Sequence, residues 1–135
     1  MMALSPALYI AQLQTIATAL DSGSTGGLIR LYAGARVGIG FMPASINLLC
    51  EFNLQKPCTA DLNANALRLK PPADRLCIKT GSATWARLLD SDGRTALDVD
   101  VGPIDSGADI ELDTILLLAG GMVRLPSVEF LAPTT

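Results

Sequence analysis

Beyond Gly27 the apolar residues of this chain recur mostly at every second position, in short runs closed by glycine, proline or Asp/Asn-rich turns. Period two sends alternate side chains to opposite faces, so such runs read as half-buried β-strands. No helical stretch separates one run from the next. A parallel pair needs a crossover of about a dozen residues or more, usually a helix, so the strands are expected to pair antiparallel. Many short strands with turns between them argue for a sandwich or barrel. Half of the residues are hydrophobic and 17% are charged, which argues against disorder. The 135 residues fit one domain, and such a domain buries roughly two thirds of its unfolded surface. The expected fold is mainly β, an antiparallel β-sandwich of jelly-roll type with one N-terminal α-helix. It is a single domain over residues 1–135, with the helix at 5–20, the sandwich at 28–131 and a tail at 132–135.

One strand and one hairpin carry the strongest β signals. In Ile46–Gln55, Ile46, Leu48, Cys50, Phe52 and Leu54 alternate with polar residues, and Leu49 is the exception. Ser82–Leu89 and Thr95–Val101 flank Asp90-Ser91-Asp92-Gly93, a turn rich in residues that favour tight reversal, and together they predict a β-hairpin. In the returning strand Leu97, Val99 and Val101 share one face, and Asp98 and Asp100 share the other, expected to be solvated. Leu28–Ala33, Ala66–Lys70, Leu76–Lys79, Ala108–Leu112, Ile115–Leu118 and Met122–Leu131 complete the expected strands. Pro71-Pro72 separates two of them, and Pro126 puts the last at an edge or a bulge.

Residues 5–20 are the one convincing helix. Ser5 suits the N-cap and Pro6 the first helical position. Leu13, Ile16, Ala17 and Leu20 make an apolar stripe, while Tyr9, Gln12 and Gln14 lie off it. The helix is expected either to cover an open end of the sandwich or to dock on a partner.

The chain has no histidine. That removes the usual general base and every Ser-His-Asp or Cys-His scheme. Gly34…Gly38-Ile39-Gly40 does not match a phosphate-binding loop. The acidic cluster Asp98, Asp100, Asp105, Asp109, Glu111 and Asp113 reads as strand faces and turns, not a cation site. The Asp90–Gly93 turn departs from calcium-loop spacing. No catalytic, cofactor-binding or metal-ligating residue is assigned, and an enzyme is not expected. Cys50, Cys58 and Cys77 lack CxxC spacing and an even count, so they read as reduced, mostly buried thiols of a protein assembled in a reducing cytoplasm.

Net charge is −3, with no basic excess to track nucleic acid. Residues 1–89 carry eight basic and four acidic side chains, and residues 90–135 carry two and nine. That asymmetry reads either as solvated faces or as attraction between neighbouring copies. The N-terminus lacks the basic start of a signal peptide. The apolar run Ile115–Val123 has nine residues, against the roughly 20 of a membrane span, so neither export by that route nor membrane insertion is expected. Val37–Pro43 is apolar within a loop. Ile39, Phe41 and Met42 either fold back on the sheet or present an exposed contact for another subunit, and Tyr9 and Gln12 join them as candidate interface residues.

The order of the motifs resembles a group of small tailed-bacteriophage structural proteins. The shared pattern is an N-terminal helix, then I-x-L-Y-x-G, here Ile29–Gly34, and G-x-A-x-W-x-R-x-x-D-x-x-G, here Gly81–Gly93. S-G-x-[DE]-I-x-L follows at Ser106–Leu112, and A-G-G-x-V-x-[LI] at Ala119–Leu125. These are turn glycines and core positions, so they specify fold more than function. The resemblance implies a virion structural protein, first a capsid cement or decoration protein clamping the lattice without covalent bonds. Its partners would be the major capsid protein, copies of itself as a dimer or trimer, or both; its place would be the capsid surface, after synthesis in the host bacterial cytoplasm. The alternatives are a tail, neck or baseplate component, or a carbohydrate- or receptor-binding β-sandwich. The apolar 37–43 loop and Pro71-Pro72 depart from the pattern.

Overall fold

The computed structural model describes residues 5–63 and 66–131. The expected tail at 132–135 lies outside the described residues. Helix α1 spans Pro6–Leu20. Ser5 caps it, its hydroxyl accepting a hydrogen bond from the Leu8 N–H at 3.4 Å.

Twelve short strands follow among the described residues: β1 Leu28–Tyr32, β2 Leu48–Asn53, β3 Thr59–Leu62, β4 Ala66–Leu69, β5 Arg75–Leu76 and β6 Gly81–Ser82, then β7 Trp85–Leu89, β8 Thr95–Pro103, β9 Ile110–Leu112, β10 Leu116–Leu117, β11 Met122–Val123 and β12 Ser127–Leu131. Eight form one curled sheet in the order β2-β1-β7-β8-β9-β12-β4-β3, and β10–β6 and β11–β5 make two small ladders. The fold is thus mainly β with one helix, as expected. α1 packs against β3, β4 and β8. Its buried Leu13, Ala17 and Leu20 join one core cluster with side chains such as Ile29, Phe52, Leu67, Leu88 and Val128. The helix therefore covers the inner side of the curl. Gly26 and Gly27 let the chain pass closely between strands after α1: a Cβ on Gly26 would lie 1.7 Å from the Leu54 carbonyl oxygen, and one on Gly27 2.5 Å from that of Leu89.

The sheet is mixed, which corrects the expectation of wholly antiparallel pairing. β8 and β9 run parallel, with Val101 opposite Ile110 and Pro103 opposite Leu112. No helix is needed, because the pairing covers three residues and the chain retraces only about 10 Å of strand. The loop 104–109 spans that, with Asp105 at φ 67° and Gly107 at φ 84° making the reversal.

Other expected strands are shorter or divided. Ser82–Leu89 is split because Ala83 donates to Ile115 while Thr84 donates to Tyr32, so the segment changes partner between them. Met122–Leu131 divides into β11 and β12, with Pro126, which has no N–H to give a ladder, in the gap. β12 then lies between β9 and β4, not at an edge. Leu76–Lys79 contributes only Leu76 to β5. Ile46 lies in a 3₁₀ turn ahead of β2 and is exposed. β3 was not anticipated: its residues Thr59–Leu62 are not strongly apolar. Leu49 is explained by a bulge, since Leu31 pairs with Cys50 and Tyr32 with Leu48. The extra residue lets consecutive Leu49 and Cys50 both be buried.

Candidate functional site

The expected hairpin is present, with β7 antiparallel to β8. Its turn is secured by the Asp90 carboxylate, which accepts from the N–H groups of Asp92 at 3.0 Å and Arg94 at 2.9 Å and from the Ser22 hydroxyl at 3.0 Å. The Arg94 N–H is the main cause that holds this carboxyl below its ordinary value.

All five residues of β7 are buried, on both faces. Ala86 and Leu88 enter the inner core. The opposite face holds Trp85, Arg87 and Leu89. Trp85 sits across from Tyr32 on β1, the two rings stacked with centroids 4.7 Å apart. Arg87 lies 5.5 Å from the Trp85 ring and directly opposite Asp98 on β8. It is 4% exposed. Its Nε donates to Asp98 Oδ1 at 2.8 Å and its Nη2 to Oδ2 at 3.1 Å, a two-point ion pair. Hydrogen bonding to Asp98 is the main cause raising the guanidinium pKa.

The remaining donors of Arg87 hold a loop over this face. Nη1 donates to the Phe41 carbonyl at 2.7 Å and Nη2 to the Gly38 carbonyl at 3.1 Å. Arg36 pairs with Asp100, Thr84 Oγ1 donates to the Gly34 carbonyl, and Phe41 N–H donates to Gly38 O. Gly38 and Gly40 take φ of 92° and 95°, a left-handed conformation that disfavours other residues. The backbone carbonyls of Gly34, Gly38 and Phe41 thus face inward, while the apolar side chains of the loop are exposed. Ile39 is 60% exposed, Phe41 69% and Met42 91%. These three side chains therefore do not fold back on the sheet.

Asp98 was expected on a solvated face and is instead buried, because the 34–43 loop lies over it. Asp100 remains exposed. Arg87 carried no sequence signal beyond its place in the G-x-A-x-W-x-R pattern. An arginine midway along an otherwise apolar strand, with an aspartate at the matching position across the turn, was the available clue. Of the two helix candidates, Gln12 is exposed and Tyr9 half-buried. They do not join the loop: α1 covers the inner face, and the loop covers the outer one.

The acidic cluster is dispersed. Asp98 pairs with Arg87, Asp100 with Arg36, and Asp113 with Arg124 at 3.8 Å, while Glu111 accepts from the Gly107 N–H. Among the described residues no group of three Cys, Asp or Glu side chains is arranged to hold a metal ion. The three cysteines are free and buried, and burial pushes Cys50 and Cys58 up to about 11. No helix among the described residues is long and apolar enough to cross a membrane. Compared with protein families, curated proteins and solved structures, the chain matches none.

Proposed function

We propose that this chain is a structural component of a tailed-bacteriophage particle, first a cement protein that binds the capsid lattice by non-covalent contact. The observation that carries the reading is the 37–43 loop: its backbone is fixed on the sheet by Arg87, while Ile39, Phe41 and Met42 project outward. A surface held rigid before binding loses little conformational freedom on docking, which favours a clamp. Many copies on a lattice would make weak single contacts collectively strong. The motifs shared with the phage proteins support the same reading, since Tyr32, Trp85 and Arg87 of those motifs build the support beneath the loop. Within this proposal the curled sheet corresponds to a jelly-roll-like sandwich whose layers stay joined through β8 and β9. Sugar binding has less support, because it favours exposed aromatic platforms, and Phe41 is the one clearly exposed aromatic side chain among the described residues.

Copy number per particle tests the proposal. Quantitative mass spectrometry of purified virions should give hundreds of copies. A dozen or fewer would contradict cement and point to tail or neck, and absence from the particle would contradict a virion role.

A further inference from the structure

A second exposed surface has no part in the 37–43 site. The two small ladders are parts of one antiparallel ribbon, 75–83 against 115–123. β5 pairs with β11 and β6 with β10. Between them the Cys77 N–H donates to the Gly121 carbonyl and the Gly120 N–H to the Cys77 carbonyl, both at 2.8 Å, and the Ala119 N–H donates to Thr80 Oγ1 at 3.0 Å. The inner face of the ribbon joins the core through Cys77, Ala83, Leu117 and Val123. Its outer face carries Leu76, Ile78, Leu116, Leu118 and Met122, which are 54–65% exposed. Met122 and Leu76 sit directly opposite each other.

Strands with one face on a core and the other in water ordinarily alternate apolar with polar residues. Here large apolar side chains take both faces, and among the described residues nothing covers the outer one. At roughly 100 Å² of exposed side chain each, the five make about 500 Å², near the upper end of what a lone monomer shows in one patch. Two such faces pressed together remove about 1,000 Å² from water, the size a specific interface needs. The charges on the ribbon and beside it are of both signs. Arg124 pairs with Asp113 at 3.8 Å. Asp74, Arg75 and Lys79 are exposed and make no ion pair among the described residues. A face for a strongly acidic or basic partner would carry one sign, whereas a near balance lets the face meet its own copy.

We propose that the outer face of this ribbon is the interface of a two-fold dimer, the ribbon of one copy packing on that of the other. Asp74 and Lys79 lie on either side of Leu76 and Ile78 in the sequence. A two-fold axis across this segment reverses it, bringing Asp74 of one copy toward Lys79 of the other. An interface made of the same patch twice closes on itself, so association stops at two. The pairing uses no residue of the 37–43 loop and does not rest on the phage reading, so each stands or falls separately.

Mass and methionine oxidation together test it. In sedimentation velocity the unmodified protein should rise with concentration from 14.1 kDa to twice that and no further. About 0.5 M salt should leave the dimer in place, because screening weakens charge pairs and not apolar burial. L76E/L118E, with circular dichroism and melting establishing that it folds, should dimerise only at about tenfold higher concentration or above. A second readout needs no variant. Met42 is 91% exposed and Met122 65%, so peroxide oxidation followed by mass spectrometry should slow at Met122, relative to Met42, as the protein is concentrated. A protein that stays monomeric, grows beyond two, or oxidises Met122 at an unchanged relative rate overturns the proposal, as does a folded variant that dimerises like the unmodified chain. Protection of Met122 only in the presence of another protein would also overturn it, and would assign the face to that partner.

Discussion

Strand β7 is buried on both faces, but by different means. Its inner face is covered by apolar side chains, with Ala86 and Leu88 set into the cluster that α1 completes. At the centre of its outer face the cover is backbone: the 34–43 loop offers carbonyls to Arg87 and leaves its apolar side chains exposed. The inner face gains stability from area removed from water. The outer face holds a charge pair that needs every partner it has. One face makes the fold, and the other turns a loop into a fixed platform.

The sharpest way to break that comparison is to unpair the outer face. Asp98→Ala leaves a buried guanidinium uncompensated, and urea unfolding should show a loss of about 3–5 kcal/mol. Replacing both partners, Arg87→Met with Asp98→Leu, should lose much less in global stability while freeing the loop, read as faster amide exchange over 38–41. If the double variant loses as much as the single one, the pair supports the fold and not the loop. On the inner face Leu88→Ala should cost about 2–5 kcal/mol by cavity formation, with loop exchange unchanged until the protein unfolds.

Smaller effects sharpen the same division. Gly38→Ala forces a side chain into a left-handed backbone and should cost about 1–2 kcal/mol, seen as faster exchange in the loop. The hairpin turn adds a pH signature. Asp90 is held below its ordinary value of 3.8, so the unfolded chain takes up its proton first. The stability it contributes is present above about 3.8 and is lost as pH falls through the lower folded value. Asp90→Asn should flatten this acid limb in melts across pH. If the slope is unchanged, the turn carboxylate is not its source.

The inner face was legible in sequence and the outer one was not. Ser5, Pro6 and the Leu13–Leu20 stripe announced α1, and the alternation in TALDVDV announced β8. Asp98 and Asp100 looked alike because period two reports which face a residue takes, not what covers that face. A loop decides that, and its covering groups are carbonyls, which every residue possesses. The parallel β8–β9 pair escaped for a related reason. The rule that demands a long crossover assumes full-length strands, and three paired residues need only the turn that Asp105 and Gly107 make. The Leu49 bulge similarly breaks a strict alternation with one added residue.

In the proposed function the exposed side chains of the loop serve another subunit. Phe41→Ser should change unfolding stability by no more than about 0.5 kcal/mol, as expected for an exposed position. Competition between Phe41→Ser and the unmodified chain for incorporation into assembling particles, read by mass spectrometry, is therefore the direct measurement. The folded variant should be strongly depleted from the particle. Incorporation equal to that of the unmodified chain, with particle stability unchanged, would contradict the proposal.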